Sequence, residues 1–302
     1  MEYIIEANNI TKKYGNFKAL NNLNIHISKG DIYGLVGKNG AGKTTLIRIL
    51  CKLEKPTSGD YSLYGVSSND NNIYKELSRV GALIENPYLY YNMTAYDNLK
   101  VLFKLKGIPS YDDINSLLEE VGLLKYKDKK VYTYSLGMRQ RLMIAMLLVG
   151  NPDILILDEP INGLDPEGII EIRELLLKLN KDRNITILIS SHYLDELSKI
   201  TTKYGFIDKG SIIKEITSSE LNSITKHKII LKIKNIKKIS LYLEGKYSYE
   251  VNDGTTITIY DDIKIPKLIN ELSNNNIKVD DVYEVKETLE SYYLNLLGGS
   301  ND

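Results

Sequence analysis

Residues whose types and spacing suit phosphate binding lie in the segment GKNGAGKTT, which begins at Gly37 directly after the apolar run Asp31–Val36. Its glycines let backbone N–H groups curl round a phosphate without Cβ clashes, and a helix is expected to open at about Gly42. Lys43 can reach the β- and γ-phosphates of a nucleotide, and the Thr44 hydroxyl can bind Mg²⁺. The strand–loop–helix context therefore predicts a phosphate loop, whose binding residues are Gly37, Asn39, Gly40, Ala41, Gly42, Lys43, Thr44 and Thr45.

Two adjacent carboxylates, Asp158 and Glu159, follow a second apolar run at Ile154–Leu157. Nucleotide sites in doubly wound sheets lie at the carboxyl ends of the strands. We expect Asp158 to hold Mg²⁺ through water and Glu159 to act as the general base on an attacking water. Alone, an apolar strand followed by Asp-Glu could equally be a strand-to-loop boundary. Together with the phosphate loop it predicts nucleotide hydrolysis, with Glu159 and Lys43 as catalytic residues.

The elements that must position these residues are typical of an α/β protein. Asp31–Val36, Ile154–Leu157 and Ile185–Ile189 look like strands buried on both faces, each followed by a turn and a helical pattern. This arrangement predicts a parallel core sheet. Tyr3–Ala7 and Leu23–Ile27 predict an antiparallel edge, so the core sheet is expected to be mixed.

The stretch from about residue 87 to 150 is expected to be an inserted helical subdomain. Thr94 can cap a helix reaching Lys106, and Ser110 can cap the next one, with Gly122 past its end.

The pattern changes near Ser218, where a small α+β unit is predicted. Alternating segments on either side of Asn252-Asp253-Gly254 indicate a hairpin, because Asp-Gly favours a tight turn. A helix at Ile265–Leu272, a strand near Val279–Val285 and a closing helix at Leu289–Leu297 follow. We therefore expect two domains, residues 1–217 and residues 218–302, the second an accessory domain.

The segment YSLGMRQRL, Tyr134 to Leu142, resembles the signature loop of ABC ATPases, a family of P-loop NTPases. In that family a Ser and a Gly at a helix N-terminus bind the γ-phosphate of ATP held by the opposite subunit. The resemblance gives those roles to Ser135 and Gly137, through backbone amides and the helix dipole. Leu136 and Met138 depart from the commonest form but leave the Ser and the Gly in place, which predicts weakened or retuned binding rather than its loss. The resemblance also implies two ATPase subunits, most simply a homodimer.

Further segments resemble ABC motifs in the family's order. INGLDPEG is similar to the D-loop and implies subunit contacts at Asn162 and Asp165. ISSHYLDEL is similar to the H-loop and implies that His192 touches the γ-phosphate in catalysis. In TKKYGNFKAL, Tyr14 stands where the family stacks an aromatic ring on adenine. The resemblance covers roughly residues 1–215.

One position departs from the general ABC pattern. Glu85 stands where most members have a Gln that helps to ligate Mg²⁺, so we expect a carboxylate metal ligand there and a changed dependence on metal. The surrounding segment, VGALIENPYLYYNMTAYDNL, resembles the bacitracin- and lantibiotic-resistance branch of ABC exporters. Its tyrosines could line the groove that receives a permease helix, or pack within the helical block: Tyr88, Tyr90, Tyr91 and Tyr96.

The amino-acid composition limits the kinds of partner that the protein is expected to bind. Lys plus Arg and Asp plus Glu each number 39, so the formal net charge is zero. This balance gives no support to nonspecific electrostatic binding of nucleic acid. The N-terminal residues lack signal-peptide features, and no run approaches the roughly 18 apolar residues of a membrane span. A separate transmembrane permease is therefore expected, with this chain on the cytoplasmic face of the membrane. The single Cys51 cannot form an internal disulfide and fits a reducing compartment.

The leading interpretation is the ATP-hydrolysing subunit of a peptide-antibiotic exporter, using ATP and Mg²⁺. Three alternatives remain open at this stage. They are an importer ATPase for a small nutrient, a non-transporting module in peptide sensing, and a soluble ATP-driven clamp on ribosomes or DNA. The last commonly needs two cassettes or a coiled-coil insertion, and the chain carries neither.

Overall fold

The computed structural model describes residues 3–84, 89–224, 227–261, 263–286 and 288–298. The chain divides into two compact units, the first ending at Ser218 and the second beginning at Ser219. Two residues singled out from the sequence, Glu85 and Tyr88, lie outside the described residues. No helix within those ranges is long and apolar enough to cross a membrane.

The first unit contains both strands and helices. Its strands are β1 (Tyr3–Tyr14), β2 (Phe17–Ser28), β3 (Ile32–Val36), β4 (Ser58–Leu63), β5 (Val66–Ser67), β6 (Val80–Leu83), β7 (Ile154–Asp158), β8 (Thr186–Ser191), β9 (Lys203–Asp208) and β10 (Ser211–Thr217). Its helices are α1 (Lys43–Leu50), α2 (Ile73–Leu77), α3 (Ala95–Leu105), α4 (Asp113–Glu120), α5 (Leu136–Leu148), α6 (Pro166–Arg183) and α7 (Leu194–Ser198), and α8 (Ser218–Ile224) begins at its last residue.

The core sheet has the strand order β10-β9-β3-β8-β7-β6. Strands β3, β7 and β8 are buried at every residue, as their continuous apolar runs predict. Neighbouring strands run parallel throughout the series β9-β3-β8-β7-β6. In this register Val36 of β3 lies beside Ser191 of β8, and Asp158 of β7 lies beside Ser190. The carboxyl ends of these strands therefore meet at one edge of the sheet, where the phosphate loop and the Asp158-Glu159 pair emerge.

The first two antiparallel strands lie in a different sheet from the one predicted. β1 and β2 do not form an edge of the core sheet but lie in a second sheet, with the order β2-β1-β4-β5. Ile5 and Ile25 pack into the same hydrophobic cluster as Leu35 and Ile156. From Leu23 to Ser28, β2 alternates buried and partly buried residues, which suits a sheet with one face on the core and one in water. The antiparallel edge of the core sheet is instead β10.

The block between β6 and β7 is helical, as predicted. The Thr94 side chain caps α3 by accepting a hydrogen bond from the Asp97 N–H, at 3.0 Å. The Ser110 prediction was wrong, because α4 starts at Asp113 and its N-cap is Asp112. The Ser110 hydroxyl instead accepts a hydrogen bond from the Asp112 N–H at 3.1 Å, so it closes a turn one step before the helix.

The second unit is an antiparallel sheet with helices against one face. Its elements are β11 (His227–Lys232), α9 (Ile236–Leu243), β12 (Tyr249–Asp253), β13 (Thr256–Ile259), α10 (Ile265–Asn274), β14 (Asp281–Lys286) and α11 (Leu289–Gly298). The strand order is β12-β13-β11-β14. β12 and β13 form the predicted hairpin, and Asp253 accepts a hydrogen bond from the Thr255 N–H at 2.7 Å in its turn. Helix α9 was not predicted; its inward residues Ile239 and Leu243 join the apolar core of this unit.

Candidate functional site

The phosphate loop connects β3 to α1, and two of its glycines are required by close backbone contacts. Gly42 precedes α1 with φ at +112°, and a Cβ there would lie 2.7 Å from the Ala19 carbonyl oxygen. A Cβ at Gly37 would lie 2.6 Å from the Ile207 carbonyl oxygen. Any side chain at these positions would displace backbone, so the glycines let the loop pass close to its neighbours.

Lys43 is the first residue of α1 and is only 6% exposed. Its ammonium donates a hydrogen bond to the Gly37 carbonyl at 2.6 Å and lies 3.4 Å from Glu159 Oε1. Carbonyl and carboxylate oxygens are the acceptors that a buried ammonium needs. The contacts hold a positive charge inside the phosphate loop, next to the carboxylate predicted to act as base.

Asp158 is held by hydroxyl groups from two other elements. The Thr44 hydroxyl donates to Asp158 Oδ2 at 2.7 Å, and the Ser190 hydroxyl donates to Oδ1 at 2.5 Å. Asp158 is 9% exposed. A hydroxyl and a carboxylate that converge in this way match the oxygen ligands that Mg²⁺ takes, usually with phosphates and water completing its shell. The predicted metal ligands Thr44 and Asp158 therefore lie together and fit the ion.

Glu159 has a backbone and a carboxylate that are both held in place. Its φ is +50°, uncommon for a residue with a side chain, and its N–H donates to the Ser190 carbonyl at 3.1 Å and the Ser190 hydroxyl at 3.0 Å. His192 Nδ1 lies 2.7 Å from Oε2, the distance of a strong charge-assisted hydrogen bond. Oε1 is buried and makes no hydrogen bond within the described chain. The carboxylate thus has Oε2 tethered by His192 and Oε1 in an ion pair with Lys43 at 3.4 Å.

A cavity of about 300 Å³ joins the phosphate loop to Tyr14. Its lining includes Lys43, Thr44, Thr45 and Glu159, so most predicted binding residues share one site. The cavity also contains Phe17, which the sequence interpretation missed. Phe17 is paired with Tyr14 across the β1–β2 hairpin. The alternation of β2 gives only a weak indication of this, because Phe17 stands at the first position of the strand.

A second cavity, of about 370 Å³, reaches the carboxylates of Asp158 and Glu159 from the side of the helical block. Asn162 lines it together with Asp158 and Glu159, and α5 contributes Arg139 and Gln140. Sequence reasoning did not single out Arg139 and Gln140, although they lie within the signature-like segment Tyr134 to Leu142.

The remaining predicted residues lie at helix starts. The Ser135 hydroxyl caps α5 by accepting from the Met138 N–H at 3.2 Å, and Asp165 caps α6 by accepting from the Gly168 N–H at 3.0 Å. Ser135, Gly137 and Asp165 line neither of the two cavities just described. A contact of Ser135 and Gly137 with a nucleotide bound at this chain's own phosphate loop therefore has no support, and their assignment to a second subunit's ATP stays a prediction.

Comparison with known proteins decides the family. The ABC transporter family model matches residues 20–162. The bacitracin transport ATP-binding protein BcrA of Enterococcus faecalis is 42% identical, over 99% of this chain and 98% of that protein. The chain belongs to the ABC transporter family as an ATP-binding subunit. BcrA of Bacillus licheniformis is 40% identical over 99% of both chains. The lantibiotic transport ATP-binding protein SrtF of Streptococcus pyogenes is 44% identical over 72% of this chain and 93% of its own.

Solved structures agree with this assignment. An ADP-bound ATP-binding cassette of an ABC transporter, MJ1267, is 25% identical with a TM-score of 0.68, over 81% of this chain and all of that one. The dimeric post-hydrolysis state of the cassette MJ0796, bound to ADP and phosphate, is 27% identical with a TM-score of 0.62, over 71% of this chain and 98% of that one. The predicted fold class is confirmed, and the protein is an ABC ATPase that binds and hydrolyses ATP.

Proposed function

We propose that this ABC ATPase drives the export of peptide antibiotics of the bacitracin or lantibiotic kind through a separate permease. The observation that carries this proposal is the similarity to two bacitracin transport ATP-binding proteins over nearly the whole of each chain. That match includes the second unit, so it is more specific than a likeness of the ATPase cassette alone. Residues 1–217 form the ATPase domain in this proposal, and residues 218–302 form an accessory domain at the inner face of the membrane.

ATP is held by the phosphate loop in this proposal. The loop amides and Lys43 bind the phosphates, and Tyr14 stacks on the adenine ring. Thr44 and Asp158 hold Mg²⁺, and Glu85 is proposed as a further ligand. When bound, the ion neutralises charge that builds up on the phosphate oxygens. The Lys43 ammonium lies 2.6 Å from the Gly37 carbonyl and 3.4 Å from Glu159, so it contacts both the phosphate loop and the proposed base.

Glu159 is the general base in this proposal. As water attacks the γ-phosphorus, its proton passes to the Glu159 carboxylate, the new P–O bond forms and the bond to the β-phosphate oxygen breaks. The products are ADP and inorganic phosphate. His192 Nδ1, at 2.7 Å from Oε2, holds the carboxylate in one orientation. Its exposed ring edge, with a side-chain exposure of 38%, can reach the γ-phosphate.

A second copy of the chain completes each ATP site in this proposal. Ser135 and Gly137 lie at the start of α5, where backbone N–H groups and the helix dipole favour an anion. Ser135 is exposed, as are Asn162 and Asp165, the proposed subunit contacts. One chain supplies one phosphate loop and one signature segment, so two chains form two complete sites.

The permease is proposed to dock on exposed aromatic and apolar side chains of the helical block. This patch consists of Tyr90, Tyr91, Met93 and Tyr132, between 38% and 59% exposed. Its two segments are joined by a hydrogen bond from the Tyr132 N–H to the Tyr91 carbonyl at 2.9 Å. The buried Asn98 side chain fixes the patch by bonding both the N–H and the C=O of Tyr90, at 2.9 and 3.1 Å. Rigid exposed aromatics of this kind are typical of interface anchors.

Replacing Tyr90 and Tyr132 together by Ala is expected to weaken permease docking by about tenfold while leaving ATPase activity of the isolated subunit unchanged. Tyr91 is left intact because it lines the cavity beside Asp158 and Glu159. Co-purification with the permease and transport into inverted vesicles give the measurement. Tyr74→Ala serves as the control, since Tyr74 is 63% exposed on α2, outside the patch. Full transport by the double variant would rule out this docking surface.

The proposed substrate class is tested by the sensitivity of the native host to a panel of membrane-active peptide antibiotics. Cells expressing Lys43→Ala at the normal level are expected to become selectively sensitive to one group of peptides, by about tenfold or more in inhibitory concentration if export is the main protection. A flux assay with that peptide then separates export from sensing. No change across the panel would remove the peptide proposal while leaving the ABC ATPase assignment, and nutrient import would be the next function to test.

A further inference from the structure

A side-chain cluster outside the phosphate loop surrounds the Tyr14 hydroxyl. That hydroxyl donates a hydrogen bond to Glu54 Oε2. The same oxygen lies 3.4 Å from the Lys12 ammonium, and Glu54 Oε1 lies 3.5 Å from Arg48 of α1. Glu54 follows α1, whereas Tyr14 and Lys12 belong to β1, so the cluster ties three segments together at the mouth of the cavity.

The acceptor in this cluster is itself held firmly. The Glu54 side chain is only 22% exposed, and Lys12 is fixed by a second hydrogen bond to the Lys55 carbonyl at 2.8 Å. The hydrogen bond from Tyr14, helped by Lys12 and Arg48, lowers the pKa of Glu54. The same bond raises the pKa of Tyr14, which keeps its proton as donor at neutral pH. Glu54 is therefore an ionised acceptor with a fixed position.

The Tyr14 ring is correspondingly restricted. The Lys12 ammonium lies 5.1 Å from the ring centroid, on one face. The Tyr14 residue is 46% exposed and lines the cavity of the phosphate loop. A ring with its hydroxyl anchored and a cation on one face offers the other face to a planar ligand, without losing rotational freedom when that ligand binds.

We propose that Glu54 is a positioning residue that orients the Tyr14 ring for stacking with the nucleotide base. The inference rests on the proposed stacking of the base on Tyr14. Glu54 acts only through Tyr14, so it should affect ligands that carry a base and leave the binding of a bare polyphosphate unchanged. Its effect should appear in nucleotide affinity and KM, and kcat at saturating ATP should stay the same.

The test is isothermal titration of the purified full chain with a non-hydrolysable ATP analogue and with inorganic tripolyphosphate. Glu54→Ala and Tyr14→Phe are each expected to weaken binding of the analogue by about three- to tenfold, because an unanchored ring must be ordered on binding. The double variant should be no weaker than Tyr14→Phe alone, since that change already removes the hydrogen bond to Glu54 together with the interaction of the hydroxyl with Thr45. Glu54→Gln keeps an acceptor oxygen and should restore most of the affinity.

Tripolyphosphate distinguishes positioning from a structural role. Its affinity should be the same in all these variants; equal losses for both ligands would mean that Glu54 supports α1 through Arg48, and would overturn the inference. Unchanged affinity for the analogue in Glu54→Ala would overturn it as well. Glu120→Ala is the matched control, since Glu120 of α4 makes an ion pair with Arg183 of α6 at 2.5 Å and lines neither cavity. Tyr14→Ala tests the stacking of the base on Tyr14 separately from the positioning role of Glu54. Full affinity of this variant for the ATP analogue would mean that the base does not stack on Tyr14 at all.

Discussion

Glu159→Gln is expected to slow ATP hydrolysis by about three orders of magnitude, the usual contribution of a general base. The amide has the size and shape of the carboxylate but cannot take the proton of the attacking water. It also removes a negative charge 3.4 Å from the Lys43 ammonium. Less negative charge beside the phosphate site should leave the affinity for ATP unchanged or raise it.

Single-turnover hydrolysis measures the loss directly, and equilibrium titration measures the retained binding. Size-exclusion chromatography with ATP and Mg²⁺ should show a stable dimer of the variant, because ATP that is not hydrolysed keeps the two subunits together. Glu174→Gln is the control: this residue is on the exposed side of α6 and pairs with Arg173 at 3.4 Å. Turnover of Glu159→Gln at the rate of the unmodified protein would exclude Glu159 as the base.

Lys43→Ala is expected to reduce ATP affinity by about 100-fold, as the loss of a charge-assisted contact to the phosphates should. Two effects act in the same direction. The variant removes the ammonium, and it leaves Glu159 Oε1 without its cation, so the uncompensated carboxylate repels the γ-phosphate. Lys43→Arg should not restore binding, because the longer, planar guanidinium does not fit a position that is 6% exposed.

Titration with ATP gives the affinity, and thermal unfolding in the absence of nucleotide checks that the fold is retained. Lys29→Ala is a suitable control, since Lys29 is exposed in the turn between β2 and β3. Normal ATP affinity of Lys43→Ala would contradict the central assignment of the phosphate loop. Hydrolysis lost with normal affinity would move Lys43 from binding to catalysis alone.

Features set by neighbouring residues could be predicted from the sequence. The phosphate loop depends on glycines and a lysine within nine positions that follow a buried strand, and each requirement is local. The Thr94 cap of α3 and the β12–β13 hairpin are likewise determined within a few residues. The ABC family and the ATPase activity could also be inferred, because the motifs occur in a fixed order along one chain.

Only the tertiary structure decided the contacts between distant segments. The Ser190 hydroxyl binds Asp158 across 32 positions, and Glu54 anchors Tyr14 across 40. Phe17 enters the site through the register of β1 and β2. Residue type and spacing alone do not indicate such pairs, because their distance in space is set by sheet order and register and not by separation along the chain. The sequence likewise predicted β1 and β2 as antiparallel, but only the tertiary structure placed them in a second sheet, with β4 and β5, whose apolar residues pack on the core.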